Sequence, residues 1–240
     1  MNIRSCILIL ATIALTTSCG EYWEGKDPTA REMRLSRRVI NLMVGDRYLI
    51  PVEFAPEDVS DNAVWWRTGD MEVAEIDNDT IVGVSEGVTI AYATSVIDLL
   101  KDSCRVNVFP KMYIHPKQYP YDMVIYADVT ILGHHYTAAD EDSLIIAAYI
   151  NEELRGIGKM KEWNNIPYME IRIWHHSPED IEPVTLTCYW RGQARIQDFD
   201  DFFQFDGQTH GSLSDLYPLV IDQIDDDDDF IDPIVIDLSD

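Results

Sequence analysis

The chain has 240 residues, 46% hydrophobic and 10% aromatic, enough for one or two packed cores and for two by preference at roughly 100–200 residues each. Its 43 acidic residues outweigh 18 basic ones, for a formal net charge of −25, which excludes long-range attraction to nucleic acid or to anionic lipid head groups. No segment beyond residue 19 has the uncharged apolar length of a membrane-spanning helix.

The amino-terminal residues carry a three-part export signal. Arg4 gives it a positive start, residues 7–15 form an apolar run too short to span a bilayer, and Thr16-Thr17-Ser18-Cys19-Gly20 supply small residues at a cut site. This pattern resembles the lipobox of bacterial lipoproteins, with Thr16 standing where Leu is usual. The resemblance implies removal of residues 1–18, diacylglycerol in thioether linkage on Cys19, and an acylated new terminus that fastens the protein to a membrane. The expected location is the cell envelope, at the outer membrane and facing outward. Polar residues 19–33 then read as a tether.

From Leu35 the sequence changes to short alternating apolar segments separated by turn residues, and helical periodicity nearly vanishes. Strands are expected at 39–43, 48–54, 63–67, 73–76, 80–84, 88–93 and 104–109, within a first domain covering 34–110. Seven short strands in so short a stretch fit an immunoglobulin-like sandwich. Val44-Gly45-Asp46 before an apolar strand, Trp66, Val73-Ala74-Glu75-Ile76-Asp77, Gly83, and Gly87-Val88-Thr89-Ile90-Ala91 follow one another in order. In that order and spacing the block resembles the group-2 bacterial immunoglobulin-like domain. Trp66 is expected to face the core, and Gly83 and Gly87 to permit turns.

Residues 111–120, rich in proline with Pro110 just before them, read as an extended linker. A second β-sandwich is expected over 121–222, opening with clean alternation in which Met123, Ile125, Ala127, Val129 and Ile131 share a face. Residues 144–150 form a continuous apolar run of buried-strand type, and further strands are expected at 168–174, 184–190 and 194–205. The fold class is therefore all-β, two sandwiches in tandem, the first immunoglobulin-like. Residues 223–240, with the unbroken run 225–229 of aspartates, read as a solvated acidic tail. Met123 with Ala127 and Val129, the stretch 152–156, and Phe203 to Asp206 with Gly211 and Pro218 resemble a β-rich domain at the carboxyl end of Gram-negative surface lipoproteins, with Leu154 in place of a cysteine. That resemblance implies a surface setting and no catalysis.

Candidate chemistry is sparse. Cys6 leaves with the signal, so Cys104 and Cys188 remain, and each sits at an alternating apolar position where a buried free thiol is expected in preference to a bridge. His134-His135, His175-His176 and His210 match no zinc spacing, and the aspartate clusters lack the spaced loop of a calcium site, so no metal and no cofactor are expected. No Gly-x-Ser-x-Gly elbow is present. Arg155-Gly156-Ile157-Gly158 reads as a tight loop with Arg155 paired to a carboxylate, and Trp163 falls in a polar loop.

Flat rings backed by polar groups suit sugar faces or protein partners, and the candidate binding residues are Trp163, His134, His135, Tyr136, Tyr189 and Arg155. The expected function is non-catalytic: adhesion, or capture of a glycan or a surface protein, by the second sandwich with the first as spacer. The alternatives are a polysaccharide-processing accessory or enzyme, and a structural subunit of a surface complex.

Overall fold

The computed structural model describes residues 29–59, 61–140, 142–177 and 181–224. The export signal, Cys19, tether residues 20–28 and the aspartate run lie outside the described residues. Among the described residues the only helical elements are short 3₁₀ turns.

The first sandwich contains β1 (Glu32–Leu35), β2 (Val39–Met43), β3 (Arg47–Leu49), β4 (Val52–Ala55), β5 (Val64–Thr68), β6 (Ala74–Asp77), β7 (Thr80–Gly83), β8 (Gly87–Ser95) and β9 (Lys101–Phe109). One sheet runs β2-β9-β8-β5, with β2 parallel to β9, and the facing sheet runs β3-β7-β6. Period-2 alternation drives the packing: Thr89, Ala91, Ala93 and Ser95 of β8 are buried while Val88 between its neighbours is exposed. Ile40, Leu42, Ile81, Val106 and Val108 complete an immunoglobulin-like core. Trp66 packs against it and donates its indole N–H to Asp79, whereas Trp65 on the other face is exposed.

Three expectations are corrected in this half. The strand expected at 48–54 divides at Ile50-Pro51, because β3 pairs with β7 while β4 leaves that sheet to pair with β1. The tether ends two residues early, since Glu32 and Met33 already belong to β1. Gly83 serves close packing and not a turn: a Cβ there would stand 2.8 Å from the Met43 carbonyl oxygen and 3.0 Å from Val108.

The second sandwich contains β10 (Tyr121–Ile131), β11 (His134–His135), β12 (Leu144–Ile150), β13 (Glu153–Trp163), β14 (Ile166–His175), β15 (Pro183–Trp190), β16 (Arg195–Asp198), β17 (Phe203–Gln204), β18 (Thr209–His210) and β19 (Tyr217–Ile221). An antiparallel sheet β10-β14-β13-β12-β15 is flanked by β18 and β19, parallel to β10, and by β16 and β17 beside β15. The flanks meet through a Gln197 side chain bonded to the Gln223 carbonyl at 2.9 Å and through the rings of Phe203 and Tyr217 at 5.0 Å. The sheet thus folds over a single core of Met123, Ile125, Ile146, Ile171, Leu186 and Phe205.

Here too the structure differs from expectation. Residues 155–158 are not a loop but the interior of β13, and Trp163 is its last residue. Gly156 lets three strands close up, for a Cβ there would stand 2.8 Å from the Arg172 carbonyl oxygen and 3.0 Å from the Ala148 Cβ. The expected strand at 194–205 starts one residue late, after an αL residue at Ala194, and is interrupted at residues 199–202, which divides it into β16 and β17.

The two sandwiches are locked together. Arg191 forks onto Asp46, the Asn41 N–H donates to the Ala194 carbonyl at 3.0 Å, and Ala194 is fully buried in the first core. Phe109 meets Tyr189 edge-on at 5.8 Å. This contact defines direction: β12 starts at Leu144, paired with Trp190 beside it, and ends at Ile150, paired with Glu153 at the far end. Residues 110–120 traverse that length, since Phe109 stands at the contact and Tyr121 pairs with His175 at the far end.

Candidate functional site

The six residues singled out from sequence do not converge. Trp163 is 42% exposed at the end of β13, paired with the exposed Ile166 across an Asn164-Asn165 turn whose φ values are 51° and 63°. His134 and His135 are exposed on β11, with His134 Nε2 3.5 Å from Asp140 and His135 Nδ1 3.3 Å from Asp128. Tyr136 is buried, and burial pushes its hydroxyl up to about 12. Tyr189 is buried as well, its hydroxyl 2.7 Å from that of Tyr149 and raised by burial and by that bond. Burial removes both tyrosines from any binding surface. By strand register these five sit toward the end that meets the first sandwich, whereas Arg155 stands at the free end.

Arg155 is placed by an irregularity in the ladder. Ala148 pairs with Gly156 and Tyr149 with Leu154, which leaves Arg155 as the extra residue of a β-bulge that re-aims its side chain. Arg155 is buried, 7% exposed. Nη2 donates to Glu153 Oε2 at 2.8 Å, and Cζ lies 4.7 Å from the ring centre of Tyr119. Nε and Nη1 are buried with no hydrogen-bond partner, an arrangement that costs about 1–3 kcal/mol per unmet polar group.

Further polar groups lie near this cation. The Tyr119 hydroxyl donates to Glu153 Oε1 at 3.0 Å, and the Tyr119 ring lies 4.8 Å from that of His176. His175, buried against Phe205, has Nε2 2.9 Å from Glu182 Oε2, and Asn151 donates to Glu182 Oε1 at 3.0 Å. The Tyr119 hydroxyl bond, then the Arg155 guanidinium, hold the Glu153 carboxyl below the ordinary range against an opposing desolvation. His175 and Asn151, with the field of Arg155, do the same for Glu182. The Tyr119 hydroxyl is raised by burial and by its bond to Glu153.

The free end thus combines unmet donors on a cation, two ionised acceptors and two flat rings, a set suited to recognition by hydrogen bonding. Among the described residues no three His, Cys, Asp or Glu side chains are grouped to hold a metal ion. Sequence reasoning reached Arg155 and expected a carboxylate partner without singling out Glu153, and it passed over Tyr119, Asn151 and Glu182. The signal available was Glu153 two residues before Arg155, a same-face spacing once 153–163 is read as a strand.

No family model matches the chain, and no curated protein matches it. Among solved structures it is similar to domains 5–6 of the S-layer protein SbsC, at 12% identity over 77% of this chain and 100% of that one, with a TM-score of 0.31. It is also similar to the N-terminal four Ig domains of Dscam1 isoform 4.4, at 12% identity over 79% of this chain and 52% of that one, with a TM-score of 0.23. A chimeric titin Z1Z2 gives 7% identity over 80% and 98%, with a TM-score of 0.25.

Proposed function

We propose that this chain is a non-catalytic envelope display protein that holds a binding sandwich away from the membrane. Cys19 carries the lipid anchor, residues 34–110 form a spacer of the group-2 bacterial immunoglobulin-like type, and residues 121–222 engage a glycan or a surface protein. The observation that carries this reading is the fixed contact between the sandwiches. Asp46 and Arg191 form a charge-assisted fork, and Ala194 is built into the first core, so the second sandwich is set rigidly on the first. A rigid pair with its polar, donor-rich end pointing away from the contact is a geometry for presentation.

The test is expression in a bacterium that processes lipoproteins, with the wild-type chain beside Cys19→Ala. Acylated Cys19 at the mature terminus, surface accessibility of the second sandwich to antibody, and retention on intact cells of immobilised glycan or cell-surface protein are expected. Release of the Cys19→Ala chain in soluble form with loss of that retention completes the pattern. An unmodified thiol on a secreted protein overturns the reading.

A further inference from the structure

We infer that the free end of the second sandwich is a subsite for an uncharged saccharide, with Arg155 donating to sugar oxygens and Tyr119 covering the guanidinium until the sugar enters. The inference rests on the display reading above and gives it a site and a ligand class.

The first observation is the unmet demand. Arg155 is 7% exposed, yet Nε and Nη1 have no acceptor, and only Nη2 is bonded, to Glu153. A charged group so deeply placed is ordinarily saturated with hydrogen bonds. The bulge that produces the placement is a specific departure from a regular ladder, of the kind found where a side chain is re-aimed for use.

The second observation selects the ligand. Arg155 already faces Glu153, and Glu182 stands within its field, so the local balance does not call for another anion. The whole chain, at −25, repels anions at long range. A neutral oxygen acceptor is favoured over a carboxylate or phosphate. Sugar hydroxyls both accept and donate, so one ring can accept from Nε and Nη1 and donate to the remaining lone pairs of Glu153 and Glu182. A trans peptide unit presents its C=O and its N–H on opposite edges, so a single unit cannot serve the guanidinium and the carboxylates from one side. The rings of Tyr119 and His176 supply apolar faces for the C–H side of the sugar.

The third observation concerns access. Tyr119 belongs to no strand; its backbone N–H bonds to Pro116 at the close of a 3₁₀ turn. Turning its ring aside therefore uncovers the guanidinium without breaking a strand pair. The cation–π contact and the bond to Glu153 hold it closed when no sugar is bound.

The experiment uses the full chain on an array of neutral gluco-, galacto- and manno-configured oligosaccharides with matched uronic-acid oligosaccharides, followed by calorimetry on the best neutral probe. Neutral probes are expected to bind and uronates to bind at least tenfold more weakly. Arg155→Gln is expected to weaken the neutral probe at least tenfold while Trp65→Ala, exposed on the first sandwich, leaves it unchanged. Should Arg155→Gln fail to fold, the wild-type Nε–H resonance of Arg155 takes its place, with a shift on adding the neutral probe and none with the uronate. Neutral binding indifferent to Arg155→Gln with an unmoved Nε–H overturns the subsite and leaves the display reading standing. Preference for uronates overturns the inference and leaves an acidic glycan as the ligand of that reading, and no saccharide bound at all overturns it and leaves a protein partner as the remaining arm.

Discussion

Arg191 and Asp46, 145 positions apart, form the charged centre of the contact between the sandwiches: Nε lies 2.9 Å and 3.1 Å from the two carboxylate oxygens, and Nη2 bonds to one of them as well. The partners differ in exposure, with 34% of the Arg191 side chain accessible against 5% for Asp46. The Asp46 carboxylate also accepts the Met43 N–H at 3.1 Å, so it closes its own turn while it grips the other sandwich.

That asymmetry sets the outcome of substitution. Arg191→Met strands a buried carboxylate and is expected to cost about 3 kcal/mol. Asp46→Asn keeps an acceptor for Met43 and leaves an arginine able to turn into water, so about 1 kcal/mol is expected. Urea denaturation of both variants checks the order, and Arg191→Met is expected to split one cooperative transition into two as the sandwiches uncouple. Equal costs, or a greater one for Asp46→Asn, contradict this account.

Both remaining thiols are interior groups. Cys104 and Cys188 are free and buried in separate cores, and desolvation pushes each up to about 12, with Asp102 adding to the effect at Cys104. The native protein is expected to resist an aromatic disulfide reagent at pH 8, since almost no thiolate is present at about four units below such a value. In denaturant both thiols are expected to react at once. Rapid labelling of the folded protein, or an intramolecular bridge seen by mass, would contradict the burial.

Strand content was legible where side chains alternate, as in β10, whose inward residues Met123 to Ile131 are all buried, and where a run is apolar throughout, as in β12. It was illegible in β13, where glycines at 156 and 158 and charges around them mimic a loop. Their true cause is crowding from neighbouring strands, which no local pattern encodes. Asn164-Asn165 was the overlooked clue, two residues fit for a left-handed turn between strand ends. The Asp46–Arg191 contact and the polar groups near Arg155 join distant segments, so only the folded chain assembles them. Gly156→Ala tests this reading: a methyl group within 2.8 Å of the Arg172 carbonyl oxygen must move a strand, and a loss of about 1–3 kcal/mol is expected. A loop glycine with an unstrained φ would tolerate alanine.

Acid stability follows from the carboxylates held low. Glu153 and Glu182 are lowered at the free end, and Asp140 is lowered chiefly by the Thr137 backbone N–H, with its hydroxyl and His134 assisting. Each is a stronger acid folded than unfolded, so the folded state gains from their ionisation above the unfolded value of about 4, and that gain disappears as the pH falls through the lower folded values. Glu153→Gln combined with Glu182→Gln is therefore expected to lower Tm at neutral pH and to narrow the difference in Tm between about pH 5 and about pH 3. Because the Glu153 side chain is 58% exposed and that of Glu182 33%, solvent screens both, and about 1 M salt should shrink the effect further. An acid-induced fall in Tm as steep in the double variant as in the wild type would show that these two carboxylates do not carry it.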